Sequence, residues 1–198
     1  MKLYNQDKKK LVNSVFNNVY HKYDVMNDLM SFGAHRIWKK NLISWMNPQH
    51  GNNLIDVASG TGDLAKLYST KIDNNCKIMC VEPNKGMLSV GKKKLKNMNN
   101  IIWHQSPAEE LPFKDNTFDF YTISFGIRNV TNINKSLQEA FRVLKTGGRF
   151  FCLEFSKVEN EILYELYNQY SKIIPTIGKY FAGDEMAYNY LVDSIKFL

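Results

Sequence analysis

Apolar positions along the chain change period several times, and each change marks a predicted element. In residues 1–51, Leu29, Met30, Ile37, Trp38, Leu42, Ile43 and Trp45 recur at spacings that predict helices with one apolar face. Gly33 interrupts that leader and Asn47-Pro48 ends it. Met26, Met30, Trp38 and Trp45 are expected in the core, the competing reading being that a leader helix lids an apolar tunnel. From residue 52 the pattern alternates. A β-branched run at 53–59 predicts a first strand, the glycines at 60 and 62 a tight turn, and Leu64, Leu67 and Tyr68 a helix. Residues 77–82 predict a second strand stopped by Pro83, 87–95 a helix, 101–103 a third strand and 118–124 a fourth. Residues 133–144 predict a helix stopped by Gly147-Gly148, followed by a fifth strand at 149–154. A Tyr-rich tail, 158–198, completes the sequence.

Strands separated by 10–15-residue helices imply βαβ units, a parallel sheet and hence a doubly wound α/β fold. Ligands of such sheets sit beyond the carboxyl ends of the strands, where the strand order reverses. A chain of 198 residues with 44% hydrophobic residues fits one domain with one core, here read as a leader (1–51), a cofactor-binding body (52–157) and a tail (158–198). There is no 18-residue apolar run and no apolar segment in the first 25 residues, so neither a membrane-spanning helix nor a secretory signal is expected.

Charge changes this picture little. Lys and Arg number 26 against 19 Asp and Glu, a net +7, yet 22 of the cations are Lys and Asn also occurs 22 times. The runs at Lys8–Lys10 and Lys92–Lys94 read as solvated faces, and no nucleic-acid motif accompanies them, so no nucleic-acid partner is expected. Cys76, Cys80 and Cys152 form no C-x-x-C pair, which points to a reducing compartment, and the four histidines have no metal-ligand spacing. No metal is expected.

The chemistry gathers at strand ends. The run DVASGTGDLA (56–65) contains G-x-G-x-x-A, and Glu82 follows Gly62 by 20 residues at the end of the second strand. The glycines let the backbone approach a ligand, while a carboxylate at 82 is placed to accept both ribose hydroxyls. NAD and S-adenosylmethionine both satisfy that arrangement. They differ over the helix N-terminus, where NAD puts an anionic pyrophosphate and this chain has Asp63, a repulsion of a few kcal/mol at intermediate dielectric. The cationic sulfonium and amino groups of S-adenosylmethionine suit Asp56 and Asp63, and this is the expected cofactor.

The strings KYDVMNDLMSFG (22–33), DVASGTGD (56–63), ISFGIRNV (123–130), RVLKTGG (142–148) and LEFSK (153–157) together resemble the ubiquinone/menaquinone biosynthesis C-methyltransferases, a family of class I, Rossmann-like S-adenosylmethionine-dependent methyltransferases. The resemblance runs through nearly the whole chain. It implies cofactor contacts at Gly60, Thr61, Glu82, Pro107, Ala108 and Ser124. Two positions depart from the family pattern: Glu82 stands where Asp is common, and Pro107 where a small polar residue is usual, which removes a side-chain hydrogen bond to the adenine. The family continues past the segment matching 188–198 with a helix and a β-hairpin, so the sheet is expected to lack that hairpin here.

The resemblance further implies methylation of a ring carbon of a polyprenyl benzoquinol, with demethylmenaquinol as the alternative acceptor. A phenolate oxygen must push density into the ring, and Arg128 is expected to stabilise it, Asn129 to orient a water or the second ring oxygen, and Tyr23, Asp24 or Asp28 to take the proton. The implied partners are the quinol, the membrane periphery, and a homodimer or quinone-biosynthesis complex. GIRNV (126–130) and YLVDSI (190–195) look most like mitochondrial and related bacterial members. That similarity implies the matrix face of the inner membrane, with a transit peptide outside this sequence, the alternative being a bacterial cytoplasm. The rivals to this reading are an NAD-dependent oxidoreductase and a basic, membrane-peripheral or RNA-binding protein without turnover.

Overall fold

The computed structural model describes residues 23–156 together with 10, 12, 14–17, 20, 160, 161, 165–167, 169, 170 and 190. Two leader helices, α1 (Tyr23–Ser31) and α2 (Ala34–Met46), precede β1 (Leu54–Val57), α3 (Asp63–Lys71), β2 (Ile78–Val81), α4 (Lys85–Lys94), β3 (Ile101–His104) and β4 (Phe118–Ser124). A 3-10 turn at Ile127–Asn129, α5 (Ile133–Val143) and β5 (Leu144–Leu153) follow. The five strands pair in parallel in the order β3-β2-β1-β4-β5. The chain therefore builds outward from β1 to β3, then returns past β1 to lay down β4 and β5. That reversal puts the switch point between β1 and β4, and the ligand crevice beyond their carboxyl ends.

Alternation along β1 shows why both faces of the sheet are covered. Leu54 packs with Leu42, Ile43 and Met46 of α2 and Leu64 and Tyr68 of α3, whereas Ile55 and Val57 pack with Tyr121, Ile123, Ala140 and Val143 on the opposite face. All four β1 residues are buried, as a central parallel strand requires. Each such aliphatic side chain contributes about 1.5–3 kcal/mol relative to an exposed one. The loops are fixed by short polar residues: Asn84 and Asn132 cap α4 and α5 by accepting the N–H groups of Met87 and Lys135, each at 3.0 Å.

Three sequence expectations need correction. Gly147-Gly148 does not stop α5, because the helix gives way at Leu144 directly to extended backbone and the glycines lie inside β5. They absorb a register break, where β4 advances from Phe118 to Phe120 while β5 advances from Leu144 to Arg149. The leader's apolar stripe is also displaced. α2 buries His35, Lys39, Leu42, Ile43 and Met46, so Ile37 and Trp45 point outward and Trp38 is half-exposed, while Met26 and Met30 are buried as expected. Finally, α4 begins at Lys85, two residues before the apolar period, because the Asn84 cap and not the first apolar residue sets its start. Most of the 158–198 tail lies outside the described residues.

Candidate cofactor and methyl-transfer site

The crevice is built by backbone that only a few conformations allow. Gly60 and Gly62 adopt φ of 57° and 83°, and the residues that follow β1 and β4, Ala58 and Phe125, are also left-handed at 52° and 57°. Glycine adopts this conformation freely, whereas at Ala58 and Phe125 it stores about 1–3 kcal/mol each, strain that persists where tertiary structure imposes it and concentrates at binding sites. Gly126 is a close-approach glycine, since a Cβ there would lie 2.5 Å from the Cβ of Ala58. The two strand ends are thereby drawn together across the switch point.

Glu82 closes the glycine turn. Its Oε2 accepts the Gly60 N–H and its Oε1 the Asn84 N–H, both at 2.9 Å. Burial pushes this carboxyl up to about 7, with the two N–H groups pulling the other way and Asp56 adding to the rise. Asp56, at the third position of β1, is pushed up to about 7 by burial although Thr122 donates to its Oδ1 at 2.7 Å. Its Oδ2 has no hydrogen-bond partner, and neither does the buried Oγ of Ser124.

Asp63 opens α3. Burial alone would raise its carboxyl, but Lys39 and Lys94 outweigh that and hold it at about 2. Lys94 Nζ lies 2.7 Å from Asp63 Oδ1 and 2.7 Å from Asp24 Oδ2, Lys39 Nζ lies 3.1 Å from Asp63 Oδ2, and Thr61 Oγ1 donates to Asp24 Oδ1 at 3.0 Å. The leader is thus tied to the glycine turn by charge. Because two ammonium groups neutralise Asp63, its repulsion of a pyrophosphate is weaker than the sequence alone suggests.

Two cavities share Ala58, Gly60 and Phe125 as walls. The larger, about 290 Å³, is lined by Glu82, Met87, Pro107, Ala108 and Asn129, and the smaller, about 20 Å³, by Lys39, Asp56, Thr61, Asp63 and Ser124. The first offers a carboxylate beside flat apolar surface, which suits a ribose and its base. The second has room for about one water, and its two carboxylates, ammonium and unpartnered hydroxyl are groups of both signs that match the charges of a zwitterionic amino-acid end. The orphaned Asp56 Oδ2 and Ser124 Oγ are the polar atoms that such a group would satisfy. All six residues named from the sequence as cofactor contacts line one or both cavities.

The residues named for catalysis are arranged differently from one another. Asn129 lines the larger cavity and accepts a hydrogen bond from Tyr190 Oη at 3.0 Å. Arg128 is buried, forms an ion pair with Glu154 and stacks 5.4 Å from the Phe155 ring. Tyr23 opens α1, and its side chain lies outside the described residues. Asp28 is bound to Arg36 through both oxygens at 2.7 Å and to His35 at 2.9 Å. The Arg36 hydrogen bond holds its carboxyl well below the usual range, so Asp28 stands as an ion-paired anion.

Sequence reasoning missed Lys39 and Glu154. A lysine four residues after His35 on the stripe shared with Leu42 and Ile43 was the available signal for the first, and a carboxylate at the end of the fifth strand for the second.

Residues 2–198 match the ubiE/COQ5 methyltransferase family. The ubiquinone/menaquinone biosynthesis C-methyltransferase UbiE of Rickettsia bellii is 51% identical over 96% of this chain and 79% of its own length. The mitochondrial 2-methoxy-6-polyprenyl-1,4-benzoquinol methylase of Dictyostelium discoideum is 44% identical over 96% and 71%. The crystal structure of an S-adenosylmethionine-dependent methyltransferase from Aquifex aeolicus superposes with a TM-score of 0.57 at 21% identity, over 62% of this chain and 66% of that one, and shares the fold. With a match along nearly its entire length and relatives at about half identity, this chain belongs to the ubiE/COQ5 methyltransferase family and is an S-adenosylmethionine-dependent methyltransferase.

Proposed function

We propose that this methyltransferase places a methyl group on a ring carbon of a polyprenyl benzoquinol in ubiquinone biosynthesis. The names of the Rickettsia and Dictyostelium relatives support the acceptor class. The observation that carries the cofactor side is Glu82, a buried carboxylate whose two oxygens accept backbone N–H groups and which lines the larger cavity together with Pro107 and Ala108. In this reading Glu82 accepts the ribose hydroxyls, Gly60 and Thr61 frame the turn, Pro107 and Ala108 flank the adenine, and Asp56, Asp63, Lys39 and Ser124 hold the amino-acid end. Bound there, S-adenosylmethionine supplies an electrophilic methyl on a sulfonium. The protein then has to align the acceptor carbon and stabilise negative charge on the ring oxygen. Arg128, Asn129 and Tyr23 take those roles in the proposal, Arg128 acting together with its partner Glu154.

No helix among the described residues is long and apolar enough to cross a membrane. A quinol with a polyprenyl tail resides in the bilayer, so the protein acts at its surface, as a homodimer or within a quinone-biosynthesis assembly, at the matrix face of the inner mitochondrial membrane. The mitochondrial relative supports that location, and the bacterial relatives support the cytoplasmic one. Thermal-shift titration tests the cofactor reading: S-adenosylhomocysteine is expected to raise the melting temperature and NAD to leave it unchanged, and stabilisation by NAD alone would overturn it. Assays with short-tailed benzoquinol and naphthoquinol acceptors then distinguish ubiquinone from menaquinone precursors.

A further inference from the structure

Part of the wall of the larger cavity comes from the leader, far in sequence from the strand ends that build the rest. Val12 and Phe16 line it together with Glu82, Met87, Pro107 and Ala108. Residue 12 and residues 14–17 are helical, and a spacing of four puts Val12 and Phe16 on one helical face. Val15, which points away from that face, is buried at 3% exposure, while Val12 and Phe16 are half-buried where they border the cavity. The segment is therefore anchored by one apolar side chain and presents two others to the site.

Specific contacts fix the leader in that position. Asn84 Nδ2 donates to Asn17 Oδ1 at 2.7 Å, and the same Asn84 donates its N–H to Glu82 Oε1 at 2.9 Å and caps α4 through its own Oδ1. Two residues on, Gly86 makes room for Tyr20, since a Cβ there would lie 3.0 Å from the Tyr20 ring. Farther along the leader, Asp24 accepts from Thr61 Oγ1 at 3.0 Å and pairs with Lys94 at 2.7 Å. The leader is thus fastened both beside Glu82 and at the glycine turn. Pro107 offers neither an N–H nor a polar side chain, so a base in this cavity depends on contact with apolar surface. Apolar side chains bordering a cavity gain dispersion contacts from a flat group that enters it, and an aromatic ring holds any base in this way without reading its edge.

We propose that the leader is part of the cofactor site, with Val12 and Phe16 forming an apolar contact surface for the base of the bound nucleoside. The proposal rests on the placement of S-adenosylmethionine described above and adds to it binding residues from outside the sheet and its loops. Their contribution goes to the nucleoside alone, because neither residue is among the walls of the smaller cavity assigned to the amino-acid end. Docking of the leader and binding of the ribose are joined at Asn84, which bonds Asn17 with its side chain and Glu82 with its backbone.

Calorimetric titration with S-adenosylhomocysteine and with 5′-methylthioadenosine, which lacks the amino-acid end, tests this. Phe16→Ala is expected to weaken both ligands by the same factor, about tenfold, and to make the heat-capacity change of binding less negative, because less apolar surface is covered. Phe16→Leu keeps the apolar bulk and is expected to stay within about threefold of the parent. The ligand-free melting temperature of Phe16→Ala is expected to move by no more than about 2 °C, since the truncated ring borders the cavity. Should it fall further, Val12→Ala, a smaller truncation of the same wall, takes its place, with an expected loss of about threefold for both ligands. A folded variant that binds both ligands as the parent does overturns the proposal. So does a loss confined to S-adenosylhomocysteine, which assigns the effect to the amino-acid end. A parent protein that binds neither ligand overturns the placement of the cofactor as well.

Discussion

Glu82 gives the cofactor crevice a pH dependence whose sign and size follow from its surroundings. Its carboxyl is pushed up to about 7 by burial. Its two oxygens already accept the Gly60 and Asn84 N–H groups, and only the anion keeps lone pairs on both of them for a ribose diol. Binding therefore selects the ionised form. A group with its pKa near 7 is about one-tenth ionised at pH 6 and about nine-tenths at pH 8, so the Kd is expected to be about tenfold weaker at the lower pH.

The suitable ligand is 5′-methylthioadenosine, which has the base and ribose but no amino-acid end to engage Asp56 or Asp63. Calorimetric titration at pH 6, 7 and 8 should show that trend, together with proton release at pH 6. Glu82→Gln should abolish both and weaken binding by about 10² to 10⁴, because two charge-assisted hydrogen bonds at roughly 1.5–3 kcal/mol each are affected and 1.4 kcal/mol is tenfold. Stability of the ligand-free protein moves oppositely. Folded pKa values raised above the ordinary carboxyl range mean that Glu82 and Asp56 contribute stability while protonated, and that this is lost as pH rises through 7. Asp63, held at about 2, is ionised throughout and adds no slope. The melting temperature without ligand should thus rise from pH 8 to pH 6 while the ligand-induced increment shrinks. A flat binding profile in the wild type, with Glu82→Gln binding as well as the parent, would refute the ribose assignment.

Lys39→Ala should weaken S-adenosylhomocysteine binding about tenfold or more and leave 5′-methylthioadenosine within twofold, since Lys39 faces only the smaller cavity; equal losses for the two ligands would remove it from the amino-acid end. Gly91→Ala should cost about 1–3 kcal/mol, because the added Cβ would lie 2.2 Å from the Trp103 ring inside the α4–β3 contact. Thermal melts should show a loss of several degrees, partly recovered by Trp103→Phe, and an unchanged melting temperature would mean that the indole yields freely.

Sequence periodicity and turn chemistry determined the order of elements in the body. The β-branched runs became β1 to β4 within a residue or two, Gly33 and Asn47-Pro48 bounded α2, and the glycines at 60 and 62 made the turn, because those preferences are local and steric. The same locality explains why Glu82, Pro107, Ala108 and Ser124 could be assigned to one crevice: each ends a strand or follows one, and parallel strands end on the same side. Local pattern failed where the deciding partner was distant in sequence. Gly147-Gly148 looks like a helix stop, yet pairing with β4 draws the backbone into an extended edge strand. Trp38 and Trp45 look like core residues, but α2 rotates to bury Lys39 against Asp63 at the switch point, 24 residues away. Only the tertiary structure pairs Arg128 with Glu154, 26 residues later, and brings Glu154 and Tyr167 to the wall of one cavity. Charge burial and cavity shape are properties of several elements brought together, so no single stretch of sequence carries them.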